Sequence, residues 1–207
     1  MDTKYFPECE SAFAKAGNIL RESGIVAFPT DTVYGLGAVY TDRDAVRKIF
    51  EAKGRDEKKP LSILVSDIMQ VGRVAGDISN DALKLMVAFW PGALTLIMEK
   101  NETVPDEVSA GGNTVGVRMP ESECARMIIA YAGSPLAAPS ANLSGKRSSV
   151  TAEDVREDLD GRIDMVIDGG ECSIGISSTV LDLTGEEPKI LREGVITAEM
   201  IKEVLGR

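Results

Sequence analysis

Apolar residues along the chain follow two spacings, one typical of helices and one typical of short buried strands. Helical spacing predicts helices over about 11–22, 42–52, 66–74, 79–89, 122–131, 151–159 and from 197 onward. Short apolar runs predict strands at 25–28, 61–65, 93–98, 114–119, 136–138, 164–167, 178–183 and 189–191. The expected helix-capping residues are Ser11, Asp42 or Asp44, Ser66, Ser79, Thr151 and Thr197.

The order of these elements places the chain in the α/β class. Strands and helices mix throughout the 207 residues, and no repeat, low-complexity segment or Pro- or Ser-rich linker divides them. These features predict one domain over 1–207. Because strand follows strand near 93–120 and again at 164–192, we expect a mixed sheet rather than a regular parallel one.

Residues 25–38 join a buried strand to a polar loop. Pro29 ends the apolar run because it lacks the N–H group that a central strand needs, and the polar sequence Thr30-Asp-Thr follows. Hydroxyls and a carboxylate at the end of a strand are typical of a ligand pocket in an open α/β sheet. A tight turn made of turn-forming residues explains the same local pattern equally well.

Composition restricts the chemistry that the chain can perform. It contains no histidine, which excludes Ser-His-Asp and Cys-His catalysis, His-ligated zinc and histidine general bases. Its net charge of −10 favours a small anionic ligand at a local basic cluster over a long nucleic acid. No apolar run could span a membrane, the N-terminus has no signal-peptide core, and the three cysteines are widely spaced. We therefore expect a cytoplasmic protein with free thiols and no membrane contact.

Two loops carry residue types that bind phosphate. Residues 53–59 place Lys53, Arg55 and Lys59 around a glycine at a predicted helix end. Residues 139–148 offer hydroxyls, an amide and free backbone N–H groups. The alternative interpretations are a solvated charged loop for the first segment and a polar turn before a helix cap for the second.

Two arginines lie at the ends of predicted strands. Arg118 follows an apolar run and needs a partner, because a buried unpaired charge is costly; an internal carboxylate or a ligand could serve. Arg192 follows Ile190 and Leu191 in the same way. With the hydroxyl-rich strand ends, these residues describe a pocket that binds anions and works by orientation and charge stabilisation.

Seven motifs in a fixed order resemble those of one known family. They are Phe28-Pro-Thr-Asp-Thr-Val-Tyr-Gly-Leu, Lys53-Gly-Arg with Lys59-Pro-Leu, Trp90-Pro-Gly-Ala-Leu-Thr, Val117-Arg-Met-Pro, Ala138-Pro-Ser-Ala-Asn-Leu-Ser-Gly, Ser177-Ser-Thr-Val and Leu191-Arg-Glu-Gly. Together they span roughly residues 10–205, and the chain resembles the YrdC family, the threonylcarbamoyl-AMP synthases. A set of seven ordered motifs is far more specific than any one of them.

The resemblance implies a fold and a reaction. The implied fold is an open, twisted, largely parallel α/β sheet with a deep, positively lined cavity. The implied reaction converts L-threonine, bicarbonate and ATP to threonylcarbamoyl-AMP and pyrophosphate. A separate tRNA-modifying transferase would then pass the threonylcarbamoyl group to a tRNA adenosine.

The resemblance also implies roles for residues at matching positions. Thr30, Arg118 and Ser178 are expected to contact threonine, with Arg118 on its carboxylate. ATP contacts are expected at Lys53, Arg55, Lys59, Thr114, Ser140, Asn142, Ser148 and Arg192. Lys53 and Arg55 would position and neutralise the phosphates, and Mg2+ is expected to arrive with ATP rather than on protein ligands.

The chain departs from its longer relatives at two positions and in length. Longer relatives often have an Asn where this chain has Lys59 and a His where it has Leu64. Lys59 can still contact phosphate, whereas Leu64 removes a polar contact near threonine. The 207 residues do not include the C-terminal extra domain of those relatives, which implies the short form with the YrdC-like domain only.

Two other functions remain open from the sequence. One is an RNA-binding module of the same fold, directed to tRNA or double-stranded RNA, although an acidic chain with few aromatic residues is a poor match. The other is a carbamoyl-transfer domain that uses carbamoyl phosphate.

Overall fold

Ten short strands form one mixed sheet in the computed structural model, which describes residues 2–206. The strands are β1 (Lys4–Pro7), β2 (Val26–Phe28), β3 (Gly35–Val39), β4 (Ser62–Leu64), β5 (Leu94–Glu99), β6 (Thr114–Arg118), β7 (Leu136–Ala137), β8 (Met165–Asp168), β9 (Thr179–Asp182) and β10 (Lys189–Arg192). Their order across the sheet is β1-β8-β2-β3-β7-β4-β6-β5-β9-β10. The α/β class and the mixed sheet are therefore confirmed.

The described residues also form seven α-helices and one 3-10 helix. The α-helices are α1 (Glu10–Arg21), α2 (Arg43–Lys53), α3 (Asn80–Phe89), α4 (Asp106–Ser109), α5 (Glu123–Ala132), α6 (Ala152–Leu159) and α7 (Ala198–Leu205); the 3-10 helix spans Ile68–Arg73. The prediction of one domain over 1–207 stays a prediction, and residues 1 and 207 lie outside the described range.

Side-chain caps fix the start of most helices where the sequence predicted them. Asp42 rather than Asp44 caps α2, and Ser79, Thr151 and Thr197 cap α3, α6 and α7. Each cap accepts a hydrogen bond from the backbone N–H three residues on, which satisfies a group that the helix itself leaves unpaired.

Two predicted caps were wrong. Helix α1 begins at Glu10, directly after Cys9, which is two residues earlier than a cap at Ser11 would place it, and Cys9 makes no side-chain cap. The predicted α-helix at 66–74 is a 3-10 helix, and Asp67 rather than Ser66 caps it by accepting from the Gln70 N–H. The Ser66 hydroxyl instead donates to Asp67 Oδ2 at 3.1 Å.

Strand direction across the sheet differs from the expected parallel majority. Of the nine neighbouring strand pairs in the described residues, four are parallel and five antiparallel. The parallel pairs are β1 with β8, β2 with β8, β4 with β6, and β5 with β9. "Largely parallel" was therefore wrong, because direct connections such as β2 to β3 reverse the chain without a crossover helix.

Strand β3 was missed because its sequence is rich in glycine, which is depleted in strands. It pairs antiparallel with both β2 and β7, directly after the polar loop. Gly37 lies beneath the ring of Phe28, and a Cβ there would be 2.7 Å from Phe28 Cε1. The glycine is therefore explained by close packing of an aromatic ring on the neighbouring strand.

The core lies on both faces of the sheet. Along β2, Val26 and Phe28 belong to the apolar cluster under α1 and α5, whereas Ala27 belongs to the larger cluster on the opposite face. This alternation follows from the two-residue period of a strand. Within residues 2–206, no helix has the length and apolar character needed to cross a lipid bilayer.

The segment after β10 crosses the start of β9 at very short range. A Cβ added to Gly194 would lie 2.5 Å from the Thr179 backbone N and 2.6 Å from the Ser177 O. Because both atoms belong to the backbone, neither can move without shifting the strand. Gly194 therefore allows the β10 end to lie directly against residues 177–179.

We predict that Gly194→Ala destabilises the fold by about 1–3 kcal/mol, the usual cost of forcing extra atoms into a packed site. Denaturant unfolding measures this change. Gly72→Ala is the matched control because a Cβ at Gly72 meets no atom within 4 Å. Equal stability of the two variants would contradict the packing argument.

Candidate functional site

A cavity of about 290 Å³ opens where β5, β6, β9 and β10 approach the β2–β3 loop. Its walls combine hydroxyls, glycines and three arginines with a smaller number of apolar side chains. The lining residues are Thr30, Thr32, Val33, Tyr34, Gly35, Arg55, Pro60, Leu61, Ser62, Leu64, Thr95, Ile97, Thr114, Gly116, Arg118, Ala138, Pro139, Ser140, Ser177, Ser178, Val180 and Arg192. The charged residues in this lining are all cations, which suits an anionic ligand.

Seven of the eleven residues predicted from the sequence come together in this cavity. They are Thr30, Arg55, Thr114, Arg118, Ser140, Ser178 and Arg192. Lys53, Lys59, Asn142 and Ser148 are not part of the lining. The pocket interpretation of residues 25–38 thus fits the structure better than a plain turn.

The β2–β3 loop is held in shape by the Thr30 hydroxyl. Thr30 Oγ1 donates to the Val33 carbonyl at 2.6 Å and accepts from the backbone N–H groups of Thr32 and Val33, both at 3.2 Å. Such a turn fixes the backbone without a glycine. Thr30 is buried and is one of the residues that line the cavity, so its hydroxyl holds the loop that forms this wall.

Arg118 is the most buried cation of the cavity, with 6% of its surface exposed. Its Nε donates to the Gly92 carbonyl at 2.8 Å, Nη1 donates to Thr32 Oγ1 at 2.7 Å, and Nη2 donates to Asp31 Oδ1. Burial lowers the pKa of this guanidinium, and the Asp31 carboxylate opposes that shift. Each nitrogen makes one of these bonds, so one N–H on each terminal nitrogen has no partner among the described residues.

Ser178 and Arg192 form the opposite wall. Arg192 Nε and Nη2 donate to the Ser178 carbonyl at 3.0 and 2.9 Å, and Nη2 also donates to Ser178 Oγ at 3.2 Å. Ser178 Oγ lies 2.8 Å from Thr95 Oγ1 on β5. Burial lowers the pKa of Arg192, and Arg192 in turn lowers the pKa of Arg118 by charge repulsion. An anion between the two arginines would relieve this repulsion.

Arg55 and Lys59 belong to one loop but occupy different places. Arg55 lines the cavity and donates from Nη2 to the Pro60 carbonyl at 3.0 Å, which ties the loop to the start of β4. Burial lowers the pKa of the Arg55 guanidinium. Lys59 is exposed, whereas Leu64, the other departure from longer relatives, lines the cavity.

Lys53 lies behind the cavity wall, with 2% of its surface exposed. Its ammonium donates to the carbonyls of Ser140 and Asn142 at 2.5 and 2.6 Å. Burial, with a smaller contribution from Arg55, lowers its pKa to about 8, and Asp158 opposes the shift. Lys53 thus holds the loop that follows β7 against the end of α2.

The loop after β7 contributes three lining residues, Ala138, Pro139 and Ser140. Ser140 Oγ donates to Asn142 Oδ1 at 2.5 Å, and Asn142 Nδ2 donates to the Leu143 and Lys146 carbonyls at 2.8 and 3.1 Å. Asn142 is therefore buried inside the loop, which it stabilises, and Ser148 is half-buried outside the lining. Ser140 lines the cavity together with Thr114 from β6.

Sequence reasoning missed several polar lining residues. Ser62 directly follows the motif Lys59-Pro-Leu, and Thr95 ends the motif Trp90-Pro-Gly-Ala-Leu-Thr; each lies in an otherwise apolar strand. A polar side chain in an otherwise apolar strand is the signal that could have found them. Tyr34, to which the sequence assigns no role, also lines the cavity. Its hydroxyl accepts from the Gly169 N–H at 3.2 Å and donates to the Gly170 carbonyl at 2.8 Å.

The donor set of the cavity does not suit a metal bound to protein carboxylates. No Asp or Glu occurs in the lining, and residues 2–206 contain no group of three or more His, Cys, Asp or Glu placed to hold a metal ion. Mg2+ prefers carboxylate, phosphate and water oxygens. A magnesium ion would therefore fit this cavity as the counter-ion of a phosphate ligand.

Comparison with known families gives a match across most of the chain. Residues 18–194 match the Sua5/YciO/YrdC family model, whose description reads "Telomere recombination". The chain belongs to the Sua5/YciO/YrdC family. The resemblance seen in the seven motifs is confirmed.

Individual relatives in the Sua5/YciO/YrdC family have threonylcarbamoyl-AMP synthase names. The chain is 50% identical over 93% of its length to "Threonylcarbamoyl-AMP synthase" of Bacillus subtilis, covering 56% of that protein. It is also 35% identical over 97% of its length to "Putative threonylcarbamoyl-AMP synthase" of Mycobacterium tuberculosis, covering 92% of it. The chain thus spans little more than half the length of the Bacillus relative.

Solved structures of the Sua5/YciO/YrdC family share this fold. Pyrococcus abyssi Sua5, solved in complex with L-threonine, superposes with a TM-score of 0.94 at 45% identity, over 99% of this chain and 60% of that one. Escherichia coli YciO superposes with a TM-score of 0.80 at 25% identity, over 94% of this chain and 95% of that one.

We predict that Lys53 makes the free energy of unfolding of this protein depend on pH in the alkaline range. The folded state binds the Lys53 proton more weakly than the unfolded chain, whose ordinary lysine pKa is 10.5, so the unfolded chain holds more protons between pH 8 and 10.5. The free energy of unfolding should therefore rise with pH through this window, by about 1–3 kcal/mol relative to Lys53→Met. Denaturant titrations of both proteins across the window measure it, and a constant difference between them would contradict the buried, weakened ammonium.

Proposed function

We propose that the chain is an L-threonylcarbamoyladenylate synthase, a nucleotidyltransferase that acts in the cytoplasm. It converts L-threonine, bicarbonate and ATP to threonylcarbamoyl-AMP, pyrophosphate and water. The observation that carries this proposal is the cavity with three arginines, many hydroxyls and no carboxylate, in a chain 50% identical to a protein named threonylcarbamoyl-AMP synthase. Support for threonine as the ligand comes from the similar Pyrococcus abyssi Sua5 that was solved with it.

The proposed threonine site uses the two sides of the cavity. Arg118 has one N–H left on each terminal nitrogen, and a carboxylate accepts two parallel hydrogen bonds from such a pair. Ser178 supplies a hydroxyl on the wall beside it, whereas the Thr30 hydroxyl is committed to its own loop. A direct contact between Thr30 and threonine stays a prediction. Leu64 gives that region an apolar contact where longer relatives resembling this chain have a histidine.

The proposed ATP site uses the remaining cations and hydroxyls. Arg55 and Arg192 would neutralise phosphate charge, while Thr114 and Ser140 would contact the nucleotide. Lys53 supports the same wall indirectly through the Ser140 and Asn142 carbonyls. Direct ATP contacts by Lys53, Lys59, Asn142 and Ser148 stay predictions, and Mg2+ would enter bound to ATP.

The chemistry needs little from protein side chains beyond position and charge. The threonine amine adds to bicarbonate with loss of water, and a carbamate oxygen then forms a bond to the α-phosphorus as the bond to pyrophosphate breaks. An in-line displacement of this kind depends on alignment and on cations that neutralise the developing charge. A cavity of arginines and hydroxyls without histidine provides both. The product would then pass to a separate transferase that modifies tRNA.

The decisive experiment is mass detection of threonylcarbamoyl-AMP made by the purified chain. The complete mixture of threonine, bicarbonate, ATP and Mg2+ should yield the product with an equal amount of pyrophosphate, and omission of threonine should abolish both. A carbamoyl product formed from carbamoyl phosphate without threonine would instead identify a carbamoyl-transfer domain. Tight tRNA binding that persists at moderate salt, without product, would identify an RNA-binding module.

We predict that two arginine variants separate the two substrates. Arg55→Ala should raise the KM for ATP about 10–100-fold and leave the KM for threonine nearly unchanged, because a charge-assisted hydrogen bond contributes about 1.5–3 kcal/mol. Arg118→Lys should do the reverse, since it keeps a charge beside Asp31 but loses the planar fork. Steady-state pyrophosphate release measures both constants. The assignment is wrong if both variants change the same KM.

A further inference from the structure

The Arg118 guanidinium depends on a carboxylate that does not itself line the cavity. Asp31 is 6% exposed, and its Oδ1 accepts from Arg118 Nη2 and from the Glu121 backbone N–H at 3.1 Å. The other oxygen, Oδ2, is buried and has no hydrogen-bond partner among the described residues. Asp31 is therefore buried and paired with Arg118, and it is not among the residues that line the cavity.

The backbone around Asp31 is fixed from a third direction. The Asp31 carbonyl accepts from the Ile174 N–H at 2.9 Å and from Ser173 Oγ at 3.2 Å. Hydrogen bonds therefore fix the Asp31 backbone, and the carboxylate has one backbone donor, the Glu121 N–H, and one cationic partner, Arg118. A carboxylate held in this way can set the rotation of the guanidinium plane as well as balance its charge.

We propose that Asp31 is a positioning residue for substrate carboxylate recognition by Arg118. This inference rests on the proposed function, in which Arg118 binds the threonine carboxylate. Asp31 and the Gly92 carbonyl accept from Nη2 and Nε, and Thr32 Oγ1 accepts from Nη1, so three fixed acceptors set the guanidinium. The two remaining N–H groups are then directed as a pair toward one ligand carboxylate. Asp31 determines how well the site distinguishes a carboxylate from a neutral group of the same shape.

The alternative is that Asp31 only balances a buried charge and stabilises the fold. Loss of the carboxylate would then reduce the amount of folded protein. It would lower the affinity of the folded protein for all its ligands by a similar factor. A positioning role predicts a selective loss that depends on the carboxylate of the ligand. L-Threonine and L-threoninamide separate these cases, because they differ in the group that faces Arg118.

The test compares wild type with Asp31→Asn by calorimetric titration of both ligands, on protein whose folded fraction is checked by circular dichroism. In wild type, L-threonine should bind at least tenfold more tightly than L-threoninamide. Asp31→Asn should raise the Kd for L-threonine at least tenfold. The Kd values for L-threoninamide and for ATP should each stay within threefold of wild type. Asp42→Asn is the matched control: it makes the same change at the cap of α2, which does not line the cavity, and should keep the wild-type preference.

A double variant separates action through Arg118 from an independent effect. If Asp31 acts through Arg118, Asp31→Asn should raise the Kd for L-threonine at least tenfold in the wild-type background. The same change should raise that Kd by less than twofold in the Arg118→Lys background. Equal weakening of both ligands by Asp31→Asn, additive losses in the double variant, or a wild type without carboxylate preference would each overturn the inference. Product formation is measured separately, so a wild type that prefers L-threonine but makes no threonylcarbamoyl-AMP would reject the proposed synthase and not the role of Asp31.

Discussion

The burial of one guanidinium organises the candidate site. Arg118 is almost completely removed from solvent, and an unpaired charge in such a place would cost several kcal/mol. Its partners come from two distant segments: Asp31 and Thr32 from the β2–β3 loop, and Gly92 from the turn before β5. The sheet must bring these segments to the end of β6 before the charge can be buried. The same contacts that satisfy the arginine therefore also shape the cavity wall.

This constraint explains why the cavity is cationic in an acidic protein. The carboxylate that balances Arg118 lies outside the lining, so the net charge facing the ligand remains positive. Arg192 adds a second positive charge whose repulsion lowers the pKa of Arg118. Two cations line one cavity, and the carboxylate that balances Arg118 lies outside the lining, so an anion would complete the site. The chain's total charge of −10 says little about such a local arrangement.

Much of the fold and site could be predicted from the sequence because local signals were strong. Asp42, Ser79, Thr151 and Thr197 cap the helices that their positions predict, and apolar runs mark eight of the strands. Strand β3 could not be predicted, since glycine is depleted in strands and Gly37 is explained only by the Phe28 ring on a neighbouring strand. The direction of strand pairing depends on connections across the whole sheet, which short-range patterns do not encode.

The cations show most clearly where sequence reasoning ends. Lys53 and Arg55 are two residues apart and carry the same charge, yet Arg55 lines the cavity and Lys53 is buried behind it. Two neutral carbonyls can accept from the compact ammonium of Lys53 in a confined place, where burial lowers its pKa to about 8. A guanidinium has five donors in a plane and stays charged, so it can hold a loop with some of them and a ligand with the rest. The division between a loop-holding lysine and ligand-facing arginines thus follows from donor number and geometry, and it becomes visible only when the carbonyls of the loop after β7 are placed in space.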